Sequence, residues 1–159
     1  MDLTFTTPEG MFNYRVCAVM INDEKLLVMK DERSPYYYLP GGRVTLHETA
    51  ENAVLREIKE ELEIDAKIIR PLWLNQSFFT EDVNHIKYHE LCFYFLIDVS
   101  GTGLPNKKDS FVLIENGRHR HTFSWMPFYE LNKNYLYPEF IKERIFNLPV
   151  NLEINTEYK

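Results

Sequence analysis

Residues 41–64, "GGRVTLHETAENAVLREIKEELEI", constrain the fold more than any other part of the chain. Two glycines permit a tight turn. A helix-forming run follows, with Thr49 as its N-cap and Glu51 in a first turn where the helix dipole favours negative charge. At about 100° per residue, Val54, Leu55, Ile58 and Leu62 form one apolar stripe, so a helix over residues 49–62 must lie on a core. Glu57, Glu60 and Glu61 share an adjacent arc. Ala50 and Ala53 leave that arc uncluttered, and Asn52, Lys59 and Glu63 point to solvent.

Like charges three and four residues apart each cost a few tenths of a kcal/mol in an isolated helix, so helix stability does not account for the triplet. A charge run is usually a solvated face, and an acidic helix used as a partner surface is one reading. The acids border the apolar stripe, however, at the rim of a core. Hard divalent cations take carboxylate oxygens there and leave room for substrate phosphates. Gly41 and Gly42 let backbone approach a metal or phosphate closely. Arg56 is placed to pin a carboxylate by a bidentate hydrogen bond, and Glu48 lies just before the helix at the same end. Residue chemistry alone reaches a metal-assisted phosphate site, and no reaction.

The rest of the chain supplies a sheet. "YRVCAVMI", the turn "NDEK" and "LLVMKD" read as a hairpin. "SPYYYLPGG" reads as a short aromatic strand. Residues 67–79 have strand composition, with an edge or bulge at Pro71, and residues 86–99 form a central strand apolar on both faces. A final helix starts near Pro138, buries Phe140, Ile141, Ile145 and Leu148, and stops at Pro149. Strands on both sides of one helix imply an α/β or α+β arrangement, a mixed sheet between helices, as a single domain over residues 1–159.

Length and composition agree: 159 residues, 45% hydrophobic and 26% charged, suit one globular domain. A net charge of -6 argues against a partner that is a nucleic-acid polymer. Cys17 and Cys92 lie in apolar runs and read as buried thiols. The N-terminus lacks a secretory pattern and no apolar run spans a membrane, so a cytoplasmic protein is expected.

Residues 42–64 resemble the Nudix box, G-x5-E-x7-R-E-U-x-E-E-x-G-U with U apolar. Gly42, Glu48, Arg56, Glu57, Ile58, Glu60, Glu61 and Ile64 fit eight of nine defined positions, and Glu63 stands where the last glycine is expected. The resemblance implies an α/β/α sandwich with a mixed sheet. It implies hydrolysis of a nucleoside diphosphate linked to another group, with Mg2+ or Mn2+. By position, Glu57, Glu60 and Glu61 become metal ligands, joined by a carbonyl of Gly42 or Gly41. Arg56 orients the catalytic carboxylates, and Glu48 contributes to activating water. Glu63 costs roughly 1 kcal/mol if the left-handed helix end persists; otherwise the helix runs further.

Outside the box, Glu115 is the candidate general base and Glu90 a weaker one. Arg118, His119, Arg120 and His121 make one loop basic, and Arg43, Arg118 and Arg120 are the candidate phosphate donors. Tyr37 and Phe79, with Tyr36, Tyr38 and Phe78, are candidates to stack on a base or to pack in the core. In "QSFFTEDVN" none of the residues that mark ADP-ribose or dinucleoside polyphosphate groups of the family appears. Nucleoside triphosphates and nucleotide sugars stay open as substrates. The alternative is a catalytically weak, nucleotide-binding regulatory domain, although all four box acids are kept. A homodimer is compatible with the resemblance, but no stretch marks an interface.

Overall fold

A computed structural model describes residues 1–158. The apolar run after the polar lead-in forms β2 (Gly10–Asn22), which follows β1 (Thr4–Thr7) and returns as β3 (Lys25–Asp31). Asp23 and Glu24 between them are both left-handed, at φ 51° and 57°, the turn geometry that matches strand twist. The pairs Ile21–Leu26 and Asn22–Lys25 close the hairpin read from "NDEK". The aromatic stretch after β3 is not a regular strand. Tyr38 bridges Met29 and Tyr37 bridges Leu136 in isolation, since Pro35 and Pro40 withhold ladder donors. The strand there is β4 (Gly41–Arg43), antiparallel to β2.

β5 (Lys67–Thr80) and β6 (Lys87–Asp98) form a long antiparallel pair, and β6 runs parallel to β2 on its other side. The ladder shifts register on either side of Pro71, the bulge that a proline without an N–H demands. β7 (Ser110–Glu115) and β8 (His119–Pro127) extend the sheet from β3, and β9 (Glu153–Tyr158) runs parallel to β5. The order is β7-β8-β3-β2-β6-β5-β9, with β1 and β4 also on β2.

This mixed sheet lies between helical layers, an α+β fold. α1 (Ala50–Leu62) sets Val54, Ile58 and Leu62 against Val16, Ala18 and Phe95 on one face. On the other, Leu131 of a 3-10 turn and Ile141 and Ile145 cover Trp73, Tyr94 and Val28. The expected final helix is much shorter, α2 (Ile141–Arg144). The Phe140 N–H just ahead of it donates to the Glu157 carboxylate of β9 at 3.2 Å, and 3-10-type bonds continue the turn to Asn147. Among the described residues no helix is long and apolar enough to cross a membrane.

At the start of α1, Thr49 Oγ1 accepts the Asn52 N–H at 3.1 Å. At its end Glu63 takes φ 59° and ψ 32° while its N–H donates to the Lys59 carbonyl. The left-handed end therefore persists with a residue that has a Cβ. Glu63→Gly should stabilise the protein by about 1 kcal/mol, read as a higher urea midpoint at unchanged slope. A midpoint at or below that of the wild type would contradict this account of the helix end.

Candidate active site

Gly41 and Gly42 are required by contact. A Cβ on Gly41 would land on the Val16 carbonyl oxygen, and one on Gly42 would land on the Glu57 carboxylate. Glu57 thus lies directly behind the β4 backbone. Glu61, one turn on, accepts the Gly41 N–H at 2.9 Å through Oε1 and is buried, with 7% exposure.

Arg56 organises the acids. Its Nε donates to Glu48 Oε2 at 2.7 Å and its Nη2 to Glu48 Oε1 at 2.9 Å, a bidentate pair. Nη2 also donates to the Arg43 carbonyl at 3.0 Å, and Nη1 donates to Glu57 Oε1 at 2.8 Å and more weakly to Glu60 at 3.4 Å. The N–H and hydroxyl of Thr45 complete the shell of Glu48, both at 3.1 Å. One guanidinium ties the pre-helix loop, β4 and the helix acids together. Its hydrogen bonds, with those of Thr45, hold the Glu48 carboxyl down from 4.5 to about 2.

Glu57 and Glu61 are displaced the other way. Burial raises the Glu57 pKa against the opposing pull of Arg56. Burial raises that of Glu61 well above the usual range, and the Glu57 charge raises it further. A buried carboxylate, Glu61, and a partly buried one, Glu57, which repel each other and keep oxygens free of Gly41 and Arg56, fit a hard divalent cation in donor chemistry. Among the described residues no three acidic, histidine or cysteine side chains form a ready cation cage. Magnesium does not require one, since it commonly keeps waters and takes one or two carboxylates with substrate phosphates. Glu57, Glu61 and the more exposed Glu60 are the side chains that would hold it, beside the Gly42 backbone.

These groups border a cleft of about 950 Å³. Of the residues singled out from sequence, Gly41, Gly42, Arg43, Glu61, Phe79, Tyr36, Tyr38 and Glu90 line it. Glu48, Arg56, Glu57 and Glu60 stand behind this wall, on α1 and the loop before it. Tyr37 faces away: its ring receives the Lys30 ammonium at 5.2 Å and lines a separate small recess with Arg120. Alternation along the chain puts Tyr36 and Tyr38 in the cleft instead. Arg118 is exposed in the β7–β8 turn and lies outside the cleft. The basic stretch is mostly strand, because β8 already begins at His119.

Glu115 ends β7 and contacts His121 Nε2 at 3.1 Å. It is near enough for its charge to raise the Glu61 pKa, behind the larger effects of burial and Glu57. His121 is buried, and its Nδ1 has no hydrogen-bond partner among the described residues. This contact escaped the sequence reading, as did Arg15, Asn75 and Ser77, which line the cleft floor. Polar residues at period two within apolar strands, Asn13 and Arg15 on β2 and Asn75 and Ser77 on β5, were the available signal.

Residues 11–145 match the model of the NUDIX domain. The chain is 33% identical over 98 residues, 60% of its length, to an ADP-ribose pyrophosphatase of Methanocaldococcus jannaschii, covering 56% of that protein. It is 31% identical over 77 residues, 48% of its length, to a putative 8-oxo-dGTP diphosphatase of Bacillus subtilis, covering 52% of that protein. The chain thus spans about half the length of these curated relatives. A MutT protein of Bacillus halodurans shares the fold at a TM-score of 0.58 and 12% identity, over 92% of this chain and 89% of that one. A match of that extent along the chain settles the family: the chain belongs to the NUDIX domain family.

Proposed function

We propose that this protein hydrolyses a pyrophosphate linkage in a nucleoside diphosphate joined to another group, such as a nucleoside triphosphate or a nucleotide sugar, with Mg2+ or Mn2+. The observation that carries the reading is the close packing of Glu57 and Glu61 against Gly42 and Gly41, at the wall of a cleft large enough for a nucleotide. The bound cation would neutralise charge on the bridging phosphates and lower the pKa of the attacking water. Arg56 orients Glu57 and opposes the burial that raises its pKa. Arg43, on the cleft wall, offers a guanidinium to phosphate oxygens. Glu115, held by His121, is the assigned proton acceptor. As water attacks, the new P–O bond forms, the anhydride P–O bond breaks, and the leaving phosphate keeps the electron pair. Two free, buried thiols suit a reducing, cytoplasmic setting.

The test is phosphate and pyrophosphate release from nucleoside triphosphates, nucleotide sugars and ADP-ribose with either metal, for the wild type and Glu60→Gln. Turnover of at least one compound, reduced about 100-fold or more in the variant, is expected. Silence from the wild type across the panel would leave the binding-domain alternative in its place.

A further inference from the structure

The cleft floor is a polar patch written across four strands. Paired residues occupy the same face at each level of the ladder. One level reads Asn13, Glu90, Ser77 and Glu157 across β2, β6, β5 and β9, and the next reads Arg15, Cys92, Asn75 and Asn155. The level after that, Cys17, Tyr94 and Trp73, already belongs to the apolar core. Burying polar groups on a sheet face costs stability unless they are paired, so their bonding decides which of them await a ligand.

Three of the eight are committed to one another. Asn75 donates to Glu157 at 2.9 Å and accepts from Asn155 at 2.8 Å, while the other Glu157 oxygen takes the Phe140 N–H. Arg15 and Glu90 are different. Glu90 has one long contact, from Asn13 at 3.5 Å, and among the described residues no side-chain hydrogen bond or ion pair holds the Arg15 guanidinium. Yet both line the cleft from neighbouring strands, one ladder level apart. Burial works against the Arg15 charge, and Glu90 leads the influences that sustain it. The two charges face the same space without closing on each other.

A ligand that fills this gap needs acceptors for a guanidinium and, on a neighbouring edge, donors for a carboxylate. It must also be flat enough to meet the Tyr36 and Phe79 rings in the same cleft. Guanine meets the requirement. Its O6 and N7 accept from arginine as a pair, and N1–H and the 2-amino group donate side by side to a carboxylate. Adenine turns the N1 lone pair toward the carboxylate, and cytosine has one donor group where guanine has two.

We propose that Arg15 and Glu90 are the specificity-determining residues of the cleft and select a guanine base; the nucleotide character of the ligand rests on the pyrophosphohydrolase reading above. The experiment is calorimetric titration of the full chain, with magnesium, using methylene-bridged diphosphates of guanosine, inosine, adenosine and cytidine, which resist hydrolysis. Turnover of the corresponding triphosphates is measured in parallel. The guanosine compound should bind at least about tenfold tighter than those of adenosine and cytidine, and inosine, lacking the 2-amino group, should lose roughly fivefold or more. Glu90→Gln should bring guanosine close to adenosine. The inosine comparison on the wild type stands even if that variant fails to fold.

Adenosine or cytidine binding as tightly as guanosine would overturn the assignment, as would no guanosine binding at all. So would an unchanged guanosine preference in a folded Glu90→Gln. Guanosine preference with no turnover of any triphosphate would keep the base assignment and remove the hydrolase reading. Turnover without that preference would do the reverse.

Discussion

Arg56→Ala should lose about 3 kcal/mol of folding stability and at least 100-fold of turnover. The side chains of Glu48 and Glu57 are 14% and 15% exposed, and Arg56 is the ion-pair partner of both. Removing it leaves two partly buried carboxylates without their cation, which costs more than the pair itself contributes. Arg56→Lys should recover only part of the loss, because an ammonium cannot donate to Glu48, Glu57 and the Arg43 carbonyl in one plane.

The pH dependence separates this network from ordinary packing. The folded pKa of Glu48 is about 2, below the 4.5 of the free side chain. Its stabilisation is therefore fully present above about pH 5 and lost as pH falls toward 2. Glu57, raised by burial, runs opposite, being destabilised when ionised and relieved by protonation. Since Arg56→Ala removes the largest influence that lowers the Glu48 pKa, the stability gap between wild type and variant should narrow from pH 6 to pH 2. Urea denaturation at a series of pH values measures it, and a gap constant across that range would contradict the role given to Arg56.

The second large effect carries opposite signs for stability and activity. Glu61→Gln should raise the melting temperature of the chelator-treated protein by a few degrees, and lower turnover with magnesium by roughly 10²–10⁴-fold. The folded pKa of Glu61 lies well above the usual range, through burial and then the Glu57 charge. The stability it supplies is therefore present when it is protonated and is lost as pH rises through that pKa. A glutamine keeps the oxygen that accepts the Gly41 N–H and removes the buried charge. Calorimetric melting in EDTA, beside a turnover assay, reads both halves. A variant that melts lower in EDTA would mean that the Glu61 charge is matched within the fold, and that no cation is needed to explain it.

The acidic face was legible because it is local. A helix of known period fixes where Glu57, Glu60 and Glu61 stand relative to Val54 and Ile58, and one N-cap fixes its start. Glu63 shows the limit of that reasoning, since two helix ends were open and only the backbone decides that the left-handed one persists. The cleft floor was not legible because Arg15, Glu90 and Asn75 are far apart in sequence and meet only through the register of three strands. Tyr37 was misplaced for a related reason. The stretch that holds it makes isolated bridges, so no periodic pattern says which of three consecutive tyrosines faces the ligand. The final helix was overdrawn because apolar spacing there records burial of Ile141 and Ile145 and not helix length.

Manganese binding by the wild type and by a Glu57→Gln, Glu61→Gln double variant, followed through the electron paramagnetic resonance of the free ion, shows whether these carboxylates hold the cation. The wild type should deplete the free-ion signal, more strongly when a hydrolysis-resistant nucleotide is present. The folded double variant should leave the signal near that of buffer. Equal binding by the two proteins would show that the buried carboxylates behind Gly41 and Gly42 are not where the cation sits.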